Sequence, residues 1–195
     1  MADIEIPDPE ELEELKGKKF TRGVALTTAI YAVMLAITSL GGNNAMKGML
    51  LAQQQSSDQW AFYQSKVVRE HLYKLQRLQL ETNLLEKRKS MGTDLLRHYD
   101  ETIRRLQEEE NRYKTEKKAI EAEAKKQEAE RDVNNRKDPY FDYAEVLLQI
   151  AIVLASISIL SGSAQVFYLS VIAAGLGSLL SVNGFLLLIR IPFLH

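Results

Sequence analysis

The chain has 195 residues, no cysteine, and 25 Lys and Arg against 26 Asp and Glu, which gives a formal net charge of −1. The lack of cysteine excludes disulfides and thiolate metal sites. The charges are distributed unevenly, since residues 147–189 contain no charged side chain at all. A bilayer requires such a long uncharged run, whereas a water-soluble domain does not carry one. The composition therefore predicts an all-α membrane protein.

The first 42 residues predict a surface helix followed by a transmembrane helix. Residues 1–19 read as a short N-terminal amphipathic helix, because Asp8-Pro9 supplies an N-cap and a first-position proline. Residues 20–42 contain only Arg22 as a charged residue, and about 20 apolar residues are enough to cross the hydrocarbon layer. This segment is predicted to be transmembrane helix 1. The run Gly41-Gly42-Asn43-Asn44 is predicted to be a flexible joint or a loosened helical turn.

Residues 43–138 predict an extramembrane, antiparallel coiled-coil hairpin with a turn near residues 90–93. Heptad spacing on the first helix marks a seam of eight residues: Ala61, Gln64, Val68, His71, Leu75, Leu78, Thr82 and Leu85. On the return helix the seam comprises Tyr99, Ile103, Leu106, Glu110, Tyr113, Lys117, Ile120 and Ala124. Two such arms would project on the order of 65 Å from the membrane. Because the seam is thin, pairing with further copies would bury more surface, and we expect a homo-oligomer.

Two more spans follow the hairpin. Asp138-Pro139 is predicted to end the coiled coil, and residues 144–160 and 165–190 are predicted to be transmembrane helices 2 and 3. Gly175 and Gly177 belong to a patch of small residues that lets another helix approach closely, within one subunit or between subunits. Asn183 lies deep in the third span, where it either hydrogen-bonds to another helix or lines a pore.

The charges flanking the spans give conflicting signals about orientation. Lys16, Lys18 and Lys19 precede the first span and Arg22 lies at its entry, whereas only Lys47 closely follows it, which favours a cytoplasmic N-terminus. Arg190 follows the last span and favours a cytoplasmic C-terminus, which three spans cannot also satisfy. Following the first helix, we expect the N-terminus in the cytoplasm and the hairpin on the other side of the membrane.

Motifs that carry chemistry are missing from the sequence. There is no P-loop, no dinucleotide-binding glycine motif, no HExxH and no nucleophile elbow. The three histidines are scattered, and the acidic clusters are interleaved with Lys and Arg as on a solvated helix face. The basic triplet Lys87-Arg88-Lys89 is too short to predict nucleic-acid binding. We therefore expect a protein that is not an enzyme and has no catalytic residue, cofactor, metal site or nucleic-acid partner.

One run near the start of the hairpin concentrates aromatic residues. Trp60 and Tyr63 share a helix face at a spacing of i,i+3, whereas Phe62 points elsewhere. With Asp58 and Lys66 these residues form a candidate interaction collar. It is interpreted as an interfacial or inter-subunit aromatic cluster, and a docking site for a partner protein or lipid is the alternative.

The same run carries a family resemblance. The segment Ser56–Gln76, SSDQWAFYQSKVVREHLYKLQ, resembles the signature of the bacterial membrane-protein family catalogued as domain of unknown function 4337. The resemblance continues through Ala25–Thr28, Tyr99–Ala124, Leu148–Ser158 and Asn183–Phe185. It implies a multi-pass protein of the bacterial inner (cytoplasmic) membrane, which would put the hairpin in the periplasm. The family supplies no activity, so no catalytic residue can be carried over.

Two functions follow as hypotheses. The favoured one is a homo-oligomeric membrane scaffold or accessory subunit that assembles through its coiled-coil hairpins. Its partners would be other copies of itself, membrane lipid, or a second membrane protein. The alternative is a channel or transport component, in which a ring of subunits encloses a pore lined by Thr27, Thr38 or Asn183. For an enzyme, a lone Asp58 and Lys66 do not make a site.

Overall fold

A computed structural model describes residues 9–191, with side chains described from residue 17 onward. Within that range the chain forms long helices and no strand: α1 (Pro9–Lys87), a short 3-10 helix (Arg88–Ser90), α2 (Thr93–Ser161) and α3 (Ala164–Leu186). The prediction of an all-α protein is therefore confirmed for these residues. Of the predicted N-terminal helix, residues 1–8 lie outside the described range, and residues 9–19 are part of α1.

Two short turns separate the helices. After the 3-10 helix, Met91 is extended and the Leu96 amide donates to the Gly92 carbonyl at 3.1 Å, which starts α2. Between α2 and α3, Gly162 adopts a φ of +62°. This left-handed conformation is accessible to glycine because it has no Cβ. Ser163 is then extended and precedes α3.

The helices are regular at two places where the sequence suggested otherwise. Asp138-Pro139, which is predicted to end the coiled coil, does not end the helix, since Pro139 lies inside α2. An interior proline costs roughly 3 kcal/mol, and the next two residues, Tyr140 and Phe141, are each only 1% exposed. Their burial offsets the lost hydrogen bond. Gly41 and Gly42 also lie within continuous helix, and both are buried.

The chain divides into two compact units, Met1–Gly48 with Val133–His195 and Met49–Asp132. We call them the three-helix unit and the helix pair. The core of the three-helix unit contains one tyrosine together with small or branched apolar residues: Val24, Tyr31, Leu148, Ala151, Ala155 and Ala174. Several hydroxyl and amide side chains are buried with them: Thr38, Ser158, Ser170, Ser181 and Asn183.

The outer surface of the three-helix unit carries many apolar side chains. Large aliphatic side chains face outward on all three helices, such as Val33, Leu40, Val153 and Leu179, which are between 56% and 70% exposed. By length and composition, three helices of the described chain contain a stretch apolar enough to cross a membrane. The unit thus buries several polar groups beside its apolar core and exposes large apolar side chains.

The helix pair consists of antiparallel segments of α1 and α2. Gln53 contacts Arg131 near one end, where Arg131 Nη1 donates at 3.0 Å, and Arg77 contacts Glu110 further along, also at 3.0 Å. The seam predicted on α2 faces α1: Tyr113 and Ala124 are buried, and the remaining seam residues are half-buried.

The seam predicted on α1 does not face α2. Val68, Leu75 and Leu85 are 57%, 63% and 77% exposed. The contact face of α1, which we call the inner face, instead includes Trp60, Tyr63, Glu70, Tyr73 and Arg77. These side chains find aromatic and oppositely charged partners on α2, and those partners determine which side of α1 turns inward.

Candidate functional site

The aromatic collar divides between two sides of α1. Trp60 and Tyr63 are half-buried, with ring centroids 5.4 Å apart and an interplanar angle of 80°. Trp60 Nε1 donates to Glu128 Oε1 of α2 at 2.9 Å. Phe62 is 50% exposed and Asp58 is exposed. The collar is therefore not one surface, since Trp60 and Tyr63 join the helices and Phe62 remains accessible.

Lys66 connects the collar to α2. Its Nζ donates to Glu116 Oε2 at 2.6 Å and lies 5.0 Å from the Phe62 ring centroid and 5.2 Å from that of Tyr113. A cation over an aromatic face is attracted by the ring quadrupole. The hydrogen bond from Lys66 holds the pKa of the Glu116 carboxyl below its usual range. Lys66 is thus a paired structural charge in this arrangement.

Tyr113 of α2 packs against the inner face of α1 and is 5% exposed. Its ring stacks on Tyr73 at a centroid distance of 5.6 Å and an interplanar angle of 17°. Arg112 Nη2 donates to the Tyr113 hydroxyl at 3.1 Å. Hydrogen bonding from Arg69, and then from Arg112, lowers the pKa of the Tyr113 phenol. The sequence marked Tyr113 as a seam residue but gave no sign of Tyr73, Arg69 or Arg112.

The two charged positions in the predicted α2 seam are explained by partners on α1. Lys117 Nζ lies 2.5 Å from Glu70 Oε2, and Glu70 raises the pKa of Lys117 through their hydrogen bond. Glu110 accepts from Arg77 at 3.0 Å, while Arg77 also bonds Glu81 of its own helix at 2.7 Å. Opposite charges that meet across two helices favour one register over its neighbours.

The two glycines predicted to aid helix packing have different surroundings. A Cβ added to Gly177 would lie 3.0 Å from the Ala144 carbonyl oxygen and 3.1 Å from Leu148 Cγ, so Gly177 allows α2 and α3 to approach closely. A Cβ added to Gly175 would meet nothing within 4 Å in the described chain. Only Gly177 therefore serves a contact inside the subunit.

The polar residues considered for a pore bond within the chain. Thr27 donates to the Gly23 carbonyl at 3.0 Å, and the hydroxyls of Thr38 and Ser181 lie 2.8 Å apart in a buried contact. Asn183 does not bond to another helix as expected. Its amide donates to the Ile189 carbonyl at 2.8 Å and accepts from the Ile189 amide at 2.9 Å.

The segment beyond α3 was not anticipated as a site. Leu187 adopts a left-handed φ of 50°, and its amide donates to the Asn183 carbonyl at 2.7 Å. The Tyr140 hydroxyl donates to the Ile189 carbonyl and accepts from the Ile191 amide, both at 3.1 Å. We call residues 187–191 the C-terminal clasp, because Tyr140 and Asn183 fix its backbone against α2 and α3.

The described side chains, residues 17–191, contain no group of three or more His, Asp or Glu that could hold a metal ion. The described residues form an α-helical protein with two units. The outer surface of the three-helix unit is apolar, and opposite charges pair between the two helices of the helix pair.

A family model described as "Domain of unknown function (DUF4337)" matches residues 20–187. The chain belongs to this family, and the resemblance found in the sequence is confirmed. Neither the curated proteins nor the solved structures gave a match.

Proposed function

We propose that the protein is a multi-pass membrane subunit that assembles with copies of itself through the helix pair and acts as a scaffold or accessory subunit. The observation that carries this proposal is an apolar stripe on the side of α1 opposite the inner face. The stripe consists of Ala61, Val68, Leu72 and Leu75 and is exposed throughout. We call it the outer stripe.

Membrane insertion is supported by two features of the three-helix unit, its exposed aliphatic side chains and its buried polar groups. In water, outward-facing aliphatic side chains over three helices would form an apolar patch far larger than monomers ordinarily expose. In a bilayer the same side chains meet lipid, and buried hydroxyl and amide groups stabilise contacts between helices. The pairing of Thr38 with Ser181 is of this kind. We place this unit in the bacterial inner membrane, with the N-terminus in the cytoplasm and the helix pair in the periplasm.

The geometry of the outer stripe favours another helix as its occupant. Its members are spaced by seven, four and three residues, which is the spacing of a coiled-coil seam. Val68, Leu72 and Leu75 are 57%, 53% and 63% exposed, so the helix pair of one subunit leaves them uncovered. A coiled coil formed with a second helix would bury these side chains.

The outer stripe of a second copy is the occupant that fits. The outer face of α2 offers no apolar complement, because it presents exposed charged residues that include Glu101, Arg104 and Glu108. Identical stripes on two α1 helices match in length and spacing, so an α1–α1 contact buries leucine against leucine. We therefore propose a homo-oligomer joined along the outer stripe, and it is this contact that would form its coiled coil.

The channel alternative has less support from the same residues. A pore-lining side chain offers its polar atoms to water or an ion. Thr38 and Asn183 instead use their polar atoms on Ser181 and Ile189 of the same chain. The arrangement therefore favours the scaffold.

The test is native mass spectrometry of the full chain after gentle extraction from its membrane. We expect a mass at an integer multiple of the 22.1 kDa subunit. The double variant Leu72→Glu with Leu75→Glu should shift that mass to the single subunit, because two carboxylates would have to be buried at the contact. The matched control, Thr115→Glu with Ala119→Glu on exposed positions of α2, should keep the wild-type mass.

Three results would contradict the proposal. The first is a wild-type chain that runs as a single subunit, and the second is a Leu72 and Leu75 variant that keeps the full wild-type mass. The third is a second polypeptide in place of the additional copies. Circular dichroism of each variant would confirm that the helices remain folded, because the substituted side chains lie on exposed positions.

A further inference from the structure

A cavity of about 300 Å³ lies between α1 and α3 of the three-helix unit. Its apolar walls are formed by Met34, Ile37, Val182 and Phe185, and three residues with hydroxyl groups complete the lining. Ile37 and Val182 are 53% and 51% exposed, so the cavity opens toward the outer surface of the unit. Its volume is at the lower end of the range for small-molecule sites, roughly 300–1,000 Å³.

The three hydroxyl groups of the cavity use their protons within the chain. The Thr38 hydroxyl donates to the Met34 carbonyl at 2.9 Å, so in its 2.8 Å contact with Ser181 it accepts and Ser181 donates. The Ser178 hydroxyl donates to the Ala174 carbonyl at 2.5 Å. Because a hydroxyl has only one proton, none of the three can donate to a ligand without breaking a bond inside the chain.

Two of these oxygen atoms keep lone pairs that can accept a hydrogen bond. Within the described contacts, no group donates to Oγ of Ser178 or Ser181. The two serines are three positions apart on α3 and therefore lie on the same side of the helix. Ser181 is 7% exposed, so its oxygen gains a further hydrogen bond only from a group that enters the cavity. The cavity therefore favours a ligand that donates.

The lining also determines the charge of the ligand. None of the seven lining residues is charged, and an ion would lose its hydration there without gaining a counter-charge. An ammonium or phosphate group is thereby disfavoured. A neutral amide is disfavoured too, because its carbonyl would find no free donor among the lining hydroxyls. A hydroxyl group on an apolar chain fits both the acceptors and the uncharged walls.

The location of the cavity favours a ligand that dissolves in the membrane. Ser181 and Ser178 precede the end of α3 at Leu186 by about 8 and 12 Å along the helix. In the proposed membrane-inserted protein this depth is hydrocarbon, where no water competes for a hydroxyl group. An alcohol that enters the cavity therefore replaces an unpaired hydroxyl in lipid with a paired one.

We propose that this cavity binds the hydroxyl group of a neutral long-chain alcohol from the membrane, with Oγ of Ser178 and Ser181 as acceptors and the chain against the apolar walls. The inference rests on the proposed membrane insertion of the three-helix unit. Since α1 and α3 both line the cavity, a bound alcohol would add a contact between these two helices.

The experiment reconstitutes the full chain in phosphatidylcholine vesicles with a hexadecanol that carries a mid-chain diazirine, and photolysis cross-links the bound probe. We expect the cross-linked peptides to come from the lining of α1 and α3. Unlabelled hexadecanol should compete at a concentration about fivefold lower than its methyl ether, because the ether lacks the donated proton.

Variants assign this preference to the two serines. The double variant Ser178→Ala with Ser181→Ala keeps the apolar walls, so the probe should still bind while hexadecanol and its ether compete equally. Ser178→Ala alone leaves the pairing of Thr38 with Ser181 intact and should reduce the preference. The control Ser156→Ala removes an exposed hydroxyl of α2 that does not line the cavity and should keep the wild-type preference.

Several outcomes would overturn the inference. If hexadecanol and its ether compete equally for the wild-type chain, the cavity takes any apolar chain. Cross-links confined to other helix faces would show that the cavity is closed or covered by a second copy. Serine variants that keep the preference would place the acceptor elsewhere.

Alkaline carbonate extraction of the membranes separates these failures from that of the proposed function. A protein that stays in the membrane without a preference for the alcohol refutes only the alcohol site. A released protein refutes membrane insertion and the alcohol site with it.

Discussion

Phe141 fills a space that glycines leave open. It is 1% exposed, and its ring packs edge-on against Phe185 at a centroid distance of 4.8 Å. A Cβ on Gly41 would lie 2.6 Å from Phe141 Cε1, and one on Gly184 would lie 3.0 Å from the same atom. If these helices lie in lipid as proposed, the hydrophobic effect contributes little between them, and this close fit supplies contact energy through dispersion.

Substituting Gly41 by alanine should therefore destabilise the three-helix unit. The new Cβ would also lie 2.7 Å from Phe185 Cζ, so two packed rings would have to move. Overpacking of this kind costs about 1–3 kcal/mol. The control is Gly175→Ala, which gains the same helix propensity of about 1 kcal/mol without a contact. Thermal unfolding in detergent should give a lower midpoint for Gly41→Ala and an unchanged or higher one for Gly175→Ala. Equal midpoints would show that the rings adjust without cost.

At the scale of the helices, the sequence predicted α2 better than α1. On α2 the aromatic and aliphatic seam residues have no rival, because the opposite face carries charges such as Arg104 and Glu108. On α1, by contrast, two faces could each form the contact with α2. The more apolar one, with Leu72 and Leu75, points outward, and the one with Tyr73 points toward α2.

The sequence could not show which of the two faces of α1 contacts α2, because the contacts that determine it are long-range. Lys117 is a charged residue within the predicted α2 seam, and its partner Glu70 lies on α1. The register of α1 follows from such pairs, which join residues far apart in the chain. Pro139 presents the same difficulty, since the burial of Tyr140 and Phe141 keeps the helix intact.

Reversing the charges between Glu70 and Lys117 tests this account of the register. Glu70→Lys or Lys117→Glu alone places like charges together and should destabilise the helix pair. The double variant restores an opposite pair and should recover about 1 kcal/mol relative to the sum of the single changes. Unfolding of the full chain, followed by helical circular dichroism, measures the effect. Lys126→Glu serves as the control, because Lys126 is 70% exposed and pairs only along its own helix in the described contacts. Additive single changes would rule out the proposed coupling.

For the molecule as a whole, the sequence specified more of the fold than of the sites. Its uncharged run and heptads predicted helices, and the matched family covers residues 20–187. The C-terminal clasp could not be predicted, because it requires Tyr140 to meet Ile189, 49 positions away in the chain. For the collar, the sequence separated Phe62 from Trp60 and Tyr63, but it did not show that the side with Trp60 faces α2.

The proposed topology can be tested with single cysteines, because the chain has none of its own. We expect Thr93→Cys, at the start of α2, to react with a membrane-impermeant maleimide in intact spheroplasts. Ser161→Cys, at the end of α2, should react only after the membrane is permeabilised. The reverse pattern would place the helix pair in the cytoplasm. Labelling of both sites in intact spheroplasts would contradict a membrane crossing between them.

The outer stripe lies on one side of one helix, and the opposite outer face, on α2, is charged. In the proposed homo-oligomer, subunits joined by this single contact surface form a closed oligomer, because each copy that docks covers the surface on which another could add. Extra synthesis would then yield more complexes of the same size. Growth into filaments would require a second contact surface on each subunit.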